Sequence, residues 1–426
     1  MTACDSACMS DRLNHHVLPH TAWFARGGGS NWHVMCETGR DPCGGRAMLH
    51  CETIRHDALG GEDRLAWINL ARLSGLSSPL LHPDFACAVG RVREDVRFAL
   101  YRDARGLAGV FAHHRRPGGF ARPVGAAFSD VHAILTRPGL DVPASRLLQL
   151  AGLSRARFSA VHTGHDTPPD GMMSAGAAQA CVLEGDPEAL VERLRAAHPK
   201  RFKDLRRRLR RLEEDHGEIR LEAGADRSAF EQLITWKRAQ YRQTGKHDVL
   251  APRWAARLMT SLFDNRGGEV KGRLITFTAG GRLVAAEFGP EAQGCFHPWL
   301  AAYDPDMAGY SPGHLLVFQL VSQMGALGLT RYDMGPGHED YKKYFANDLT
   351  PLHAGMARAP GLASSVRERA AGLVSSAASL GGERVSALAG RLHRRMDQIA
   401  AVETCARRRV MGITRAATQI LASPGR

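Results

Sequence analysis

The densest group of reactive side chains lies in the stretch YDMGPGHEDYKK, residues 332–343. Asp333 ends a predicted strand, the place where sites on open α/β sheets gather. Gly335 and Gly337 permit a tight turn. His338, Glu339, Asp340, Tyr341 and Lys342 follow at a predicted helix start. The chemistry these residues offer is proton transfer. His338 moves protons near neutrality, Tyr341 can protonate a leaving group, and Lys342 can stabilise a developing oxyanion. An ordinary packing role stands beside this one: Tyr341 and Phe345 are an i, i+4 pair, and residues 338–340 are a solvated first turn.

About twenty residues earlier, Ser311-Pro312-Gly313-His314 offers a second kind of chemistry. Ser311 suits an N-cap and Pro312 the first helical position. Gly313 has no side chain to block a ligand approaching the exposed N–H groups, which with the helix dipole favour an anion. Ser-Pro is also how many helices simply begin. Glu287 and His297 sit in predicted strands leading toward this loop, and either is a general base if it faces a cleft. Trp236, Tyr241, Trp299 and Tyr303 line an acceptor pocket or belong to the core.

The elements that must position these groups recur. VRFALYRD and LAGVFAHHRR (96–116) predict a strand–turn–strand unit, followed by an extended ARPVGAAFSDVHAIL, a helix in VPASRLLQLAGLSRA and a strand in FSAVHT. About 170 residues later GRLITFT and RLVAAEFGPEA repeat the unit, then CFHPWLAAYD predicts a third strand, SPGHLLVFQLVSQMGALG a helix and LTRYDMG a strand. The order suggests a duplicated domain. At the place of Ser-Pro-Gly the first copy has DVPAS, with no glycine. Between the copies, PEALVERLRAAHPKRFKDLRRRLRRLEEDHG predicts an amphipathic helix with Phe202, Leu205, Leu209 and Leu212 on one face. Two further helices end in glycine.

At 426 residues the chain is too long for one ordinary core. Residues 1–50 predict a disordered extension rich in Gly, Cys and His, with Met48 as a second candidate start. Residues 51–190 and 191–358 form the two α/β halves, and 359–426 a basic helical tail. The net charge is +13, and only seven of the 56 basic residues are Lys. Beyond Pro360 eleven Arg stand against four acids. The run KRFKDLRRRLRR (200–211) carries eight basic residues. It is a solvated face or an attractor for a phosphorylated substrate, nucleic acid or membrane surface, and with little aromatic interleaving it is poorly suited to reading bases. Nine scattered Cys fit a reducing compartment, and the N-terminal Cys and His match no standard zinc spacing, so no metal is expected. The start lacks the basic and apolar regions of a signal peptide, and no apolar run of about 18 residues exists. A cytoplasmic protein is expected, with peripheral contact at the inner membrane face left open.

RLVAAEFG, AYDPDMAGYSPGHLL and YDMGPGHEDYKKYF together resemble the acetyltransferase-like domain of the CelD-type proteins, linked to bacterial cellulose and exopolysaccharide synthesis and part of the wider GNAT superfamily. The basic helix fits as well, and SSPLLHPDF and FSDVHAIL resemble the N-terminal half of the same proteins, so the likeness covers about residues 60–358. YKKYF also resembles the F-K-x-x-F element of Fem-type transferases, which are tandem GNAT folds, with Lys342 carrying the match and Tyr341 replacing Phe. The resemblance implies a mixed α/β fold of two GNAT-like domains with the acceptor in the cleft between them. It implies acetyl-CoA or another acyl-CoA as co-substrate, its pyrophosphate held at Ser311, Pro312 and Gly313. The glycine-rich loop usual in that superfamily is absent. An amine or hydroxyl, on a sugar that is nucleotide- or lipid-linked, would attack the thioester, with Tyr341 as acid. Two rivals remain. One is a Fem-like transferase using aminoacyl-tRNA, with the 200–211 helix on the RNA. The other is a non-catalytic adaptor of a polysaccharide synthase with its basic tail on anionic membrane.

Overall fold

A computed structural model describes residues 49–360 and 395–422, apart from positions 77, 127, 163–167, 225, 266 and 338. The first half runs β1 (His50–Ile54), α1 (Gly61–Leu73), α2 (Pro83–Val92), the hairpin β2 (Val96–Asp103) and β3 (Gly106–Arg116), β4 (Phe120–Pro123), β5 (Leu135–Thr136), α3 (Ala144–Leu150), β6 (Arg155–His162) and β7 (Met172–Val182). Helices α4 (Pro187–Ala197) and α5 (Pro199–His216) lead to the second. It runs β8 (Ile219–Gly224), α6 (Arg227–Gln243), α7 (Arg253–Asp264), the hairpin β9 (Lys271–Ala279) and β10 (Arg282–Ala292), β11 (Cys295–Phe296), β12 (Leu300–Tyr303), α8 (Pro312–Ser322), β13 (Arg331–Pro336), α9 (Lys342–Phe345) and β14 (Asp348–Arg358).

These strands form one mixed sheet in the order β1-β2-β3-β4-β6-β14-β7-β13-β11-β10-β9-β8, with β5 on β3 and β12 on β10. The order reads the same from both ends. Each half supplies an outer strand, a hairpin, a short strand, and after its helix a strand parallel to the short one, β4 with β6 and β11 with β13. The final strands are exchanged: β14 lies between β6 and β7, and β7 pairs with β13. The α/β fold with its internal recurrence is as expected, and the strands on either side of residue 190, which lies in α4, belong to one continuous sheet.

Local chemistry explains where the elements stop. The β9–β10 loop is Gly280-Gly281, both at positive φ (53° and 79°), which a two-residue hairpin turn favours. The helix expected over 187–216 breaks at His198, because Pro199 has no N–H to donate and disfavours a helical residue before it. The extended piece expected over 121–135 forms strands only at its two ends, β4 and β5, with isolated bridges at Ala126–Ser129 and His132–Val161 between them. The third strand expected in CFHPWLAAYD splits into β11 and β12 around Pro298, and Gly289 lets the His297 carbonyl approach where a Cβ would collide.

Trp67, Phe85 and Phe98 of the first half share one apolar core with Phe230, Leu258 and Phe288 of the second. A second core under α4, α5 and α8 holds Phe202, Leu205, Leu212, Leu315 and Phe345. A third packs Leu147 and Leu148 of α3 on Phe111 and Phe158. Part of the expected tail belongs to the fold. Residues 395–402 are helical, Ile399 and Val402 are fully buried, and Trp254 donates to the Val402 carbonyl at 2.9 Å. Asp397 is held by Arg122 at 2.6 Å and Arg157 at 2.9 Å. Among the described residues no helix is long and apolar enough to cross a membrane.

Candidate active site

The split between β11 and β12 opens the site. Strand β13 pairs with β11 at Cys295–Arg331 and Phe296–Tyr332, while β12 continues along β10. Beyond Phe296 the pairing with β13 ends, while the chain stays on β10 through the His297 and Trp299 N–H groups, and the two partners part. Beside this gap lies a cavity of about 310 Å³, lined by residues 285–287 of β10, 301–303 of β12, the start of α8, Gln240 and Tyr341. It lies within the second half, whereas the expected acceptor cleft lay between the halves.

Glu287 is its main ionisable group. It is 4% exposed and accepts a hydrogen bond from the Tyr332 hydroxyl at 2.9 Å. Burial pushes its carboxyl up to about 7, against the opposing pull of Tyr332 and Lys237. A carboxyl poised near neutrality is suited to general base catalysis. Tyr341 lines the same cavity, and burial, then the charges of Glu287 and Glu339, push its phenol well above the usual range. It stays protonated at neutral pH and can donate.

Ser311, Pro312, Gly313 and His314 all reach the cavity. Pro312 takes the first helical position, but Ser311 does not cap: it sits in the left-handed region (φ 60°) and makes no side-chain bond to the helix N–H groups. Its hydroxyl instead accepts from Arg208 of α5 at 3.2 Å. A Cβ on Gly313 would meet only the Tyr303 ring, at 4.0 Å, so the first turn is open on that side. Burial, then Arg201 and Arg208, lower the pKa of His314.

Asp333 and His297 are gathered elsewhere. The His297 ring stands 2.7 Å from half-buried Asp130 and 3.4 Å from buried Asp333, a cluster between the halves. Burial alone would lower its pKa, but the two carboxylates overrule this and raise it to about 10. Burial would raise the Asp333 pKa, but His297 and Arg331 bring it down to about 2, and its carboxylate also accepts from the Gly335 N–H. His297 is thus cationic and Asp333 anionic near neutrality. Lys342 is buried, with its ammonium on the Pro336 carbonyl (2.7 Å), the Gly335 carbonyl (3.4 Å) and Glu339 (2.9 Å), so it secures the turn after β13. His338 lies outside the described residues.

Of the aromatic candidates, Tyr303 lines the cavity. Trp236, Tyr241 and Trp299 pack against the shared core, and Trp299 meets Phe85 and Phe128. The side chains between the first two were overlooked. Lys237 donates to the Ala301 carbonyl at 3.0 Å, and Ala301 is directly opposite Glu287 in the β10–β12 pairing. Burial and then Lys246 lower the Lys237 pKa. Gln240, three residues on, lines the cavity. The signal was there as a polar i, i+3 pair flanked by aromatics. Among the described residues no cluster of three or more His, Cys, Asp or Glu is placed to hold a metal.

Residues 199–343 match the family model of an acetyltransferase (GNAT) domain. No curated protein matches the sequence. Similar solved structures include a tandem GNAT protein from the clavulanic acid biosynthesis pathway (11% identity, TM-score 0.44, 74% of this chain and 99% of that one). Another is the C-terminal domain of a protein assigned as a lysylphosphatidylglycerol synthetase from Agrobacterium fabrum (11% identity, TM-score 0.42, 74% and 96%). FemX is a third (10% identity, TM-score 0.42, 61% and 87%). The family match runs from the start of α5 to Lys343 and so takes in every element that lines the cavity.

Proposed function

We propose that this domain transfers an acyl group from acyl-CoA to an amine or hydroxyl, with Glu287 as general base and Tyr341 as general acid. The observation that carries it is a buried carboxyl held near neutrality in a cavity whose rim is the open first turn of α8. Glu287 takes the proton of the acceptor. The freed lone pair attacks the thioester carbonyl, and the tetrahedral intermediate collapses with loss of the thiolate. Tyr341 gives that sulfur its proton, leaving an amide or ester and free CoA. Pro312 has no N–H, and those of His314 and Leu315 bond the Ser311 carbonyl (3.0 and 3.2 Å), so the Gly313 N–H and the positive end of the helix are what suit an oxygen of the donor pyrophosphate. Lys342 and Asp333 take part by holding the turn that presents Tyr341.

A thermal shift tests the donor. Acetyl-CoA at about 100 times its Kd should add roughly 2.7 kcal/mol of stability. No shift with acetyl-CoA, CoA or a longer acyl-CoA would remove this reading.

For the acceptor we propose an amino or hydroxyl sugar of cell-surface polysaccharide synthesis, nucleotide- or lipid-linked, supported by the motif resemblance at residues 282–289, 302–316 and 332–345. Thiol release from acetyl-CoA across a panel of UDP-amino sugars and plain amines tests it, and equal rates for both would sink it. Exposed Val410 and Met411 beside Arg407 and Arg408 support peripheral contact of the C-terminal helix Ala406–Ala422 with an anionic membrane. Failure of the chain to sediment with vesicles containing phosphatidylglycerol at low salt counts against that contact.

A further inference from the structure

Arg201, Arg208 and Arg211 stand seven and three residues apart on α5, so they share one side of the helix. That side faces the rim of the cavity. Arg208 donates to the Ser311 hydroxyl at 3.2 Å and to the Gly309 carbonyl at 3.4 Å. Arg211 lies over the ring of Tyr310 at 5.4 Å, and Arg201 over Tyr344 at 5.3 Å. His314, on the first turn of α8, feels both Arg201 and Arg208.

Two carboxylates are paired with the row. Asp204 lies 2.8 Å from Arg208 and 3.7 Å from Arg201, and it also takes Arg207 at 2.7 Å. Asp215 lies 3.4 Å from Arg211 and accepts from the Tyr310 hydroxyl at 2.6 Å. Four guanidinium groups against two carboxylates leave the rim positive. Buried Phe202, Leu205 and Leu212 pin the adjoining side of α5, so the helix that carries the arginines is fixed at the rim before any ligand arrives.

The donor that suits the cavity has two unlike ends. A cavity of about 310 Å³, lined largely by Ala, Pro, Leu and Val, suits an acyl-pantetheine arm. It does not suit a diphosphate and a 3′-phosphate, which must lie outside it against positive charge. We propose that the arginine row on α5 holds the phosphates at the nucleotide end of the thioester donor. The inference rests on the acyl-CoA reading of the cavity and goes beyond it, because it places the anchoring charge on the helix that precedes the second half of the sheet.

Calorimetric titration of the full chain with acetyl-CoA, acetyl-3′-dephospho-CoA and S-acetylpantetheine tests it. The wild type should bind in that order of falling affinity, with salt weakening acetyl-CoA most. The double variant Arg201→Ala/Arg211→Ala should lose at least about tenfold for acetyl-CoA and nothing for S-acetylpantetheine. Arg206→Ala/Arg210→Ala removes the same charge from the outer groove between α4 and α5 and should leave acetyl-CoA unchanged. Wild-type acetyl-CoA affinity in the first variant overturns the proposal while the donor reading stands. So does an equal loss with S-acetylpantetheine, or an equal loss in the outer-groove variant. A wild-type chain that binds none of the three ligands removes the donor reading and this proposal together.

Discussion

The two halves place the same strands around different chemistry. Four residues beyond Leu107 in the first hairpin stands Phe111; four beyond Leu283 in the second stands Glu287. Phe111 stacks on Phe158 of β6 at 5.7 Å, and Glu287 takes the hydroxyl of Tyr332 on β13 at 2.9 Å. Both pairs reach across one short strand, β4 in the first half and β11 in the second. The helix starts differ in the same sense. In the first half Pro143 leads into a buried Ala144, while in the second Gly313 faces a cavity. One scaffold thus gives an apolar core when an aromatic pair fills it, and a site when an acid and a phenol stand there instead. The first half serves the second by lending it β7 and a share of the apolar core.

Making the second half more like the first should have the largest effect. Glu287→Gln keeps the size and a partner for Tyr332 but cannot accept a proton. We expect turnover to fall by about 100-fold or more, measured as thiol release from acetyl-CoA, with donor affinity unchanged. The same variant separates function from stability. The folded carboxyl titrates near 7 against an ordinary 4.5, so the folded chain binds more protons than the unfolded one between those values. Its stability is highest below about 4.5 and declines as pH rises through 7. Glu287→Gln removes that loss, and at pH 8 it should be more stable than wild type by roughly a few kcal/mol, with no gain at pH 4. An unchanged melting temperature at pH 8 would mean that the carboxyl is not desolvated.

Gly313→Val tests the contrast between the helix starts. The new side chain enters open space, so the melting temperature should stay within about 2 °C, while acetyl-CoA affinity falls at least about tenfold. Unchanged affinity would make that first turn as inert as the start of α3. Tyr341→Phe keeps the ring and removes the proton. It should lower kcat by about tenfold or more without altering donor affinity, and full turnover would leave Tyr341 as packing.

Much of this contrast was legible before folding. The strand–turn–strand repeats, the helix at Pro312 and the amphipathic face of 199–216 follow from local periodicity and from proline and glycine, and all three formed. The exchange of β7 and β14 was not legible, because strand pairing over more than 150 residues leaves no local pattern. Glu287 was a candidate whose facing only the β10–β12 register could decide. Lys342 and Asp333 looked reactive by residue type, yet one braces a turn and the other balances His297. Arg208 lay in a run whose ordinary role is a solvated face, and its contact with Ser311 depends on how α5 packs against α8. Burial of residues 395–402 was hidden by their composition: Arg395, Asp397 and Gln398 read as a polar tail until Asp397 finds two arginines of the first half.

The finest test concerns the phenol that distinguishes Tyr332 from Phe158. Its hydroxyl donates to Glu287, and a hydrogen bond to the charged form lowers a carboxyl's pKa. Burial still dominates, which is why the net direction is upward. Tyr332→Phe removes only the donor, so Glu287 should become harder to ionise. A hydrogen bond of this kind is worth about 1 kcal/mol net, and about 1.4 kcal/mol corresponds to one pH unit. The acid limb of kcat/KM should therefore move upward by somewhat less than about one unit, with the plateau at high pH preserved. The direction matters more than the size. A limb that moves down would mean that Tyr332 stabilises the protonated acid, and a limb that stays put would uncouple the phenol from the base. Either result would reduce the difference between the halves at this position to a matter of packing.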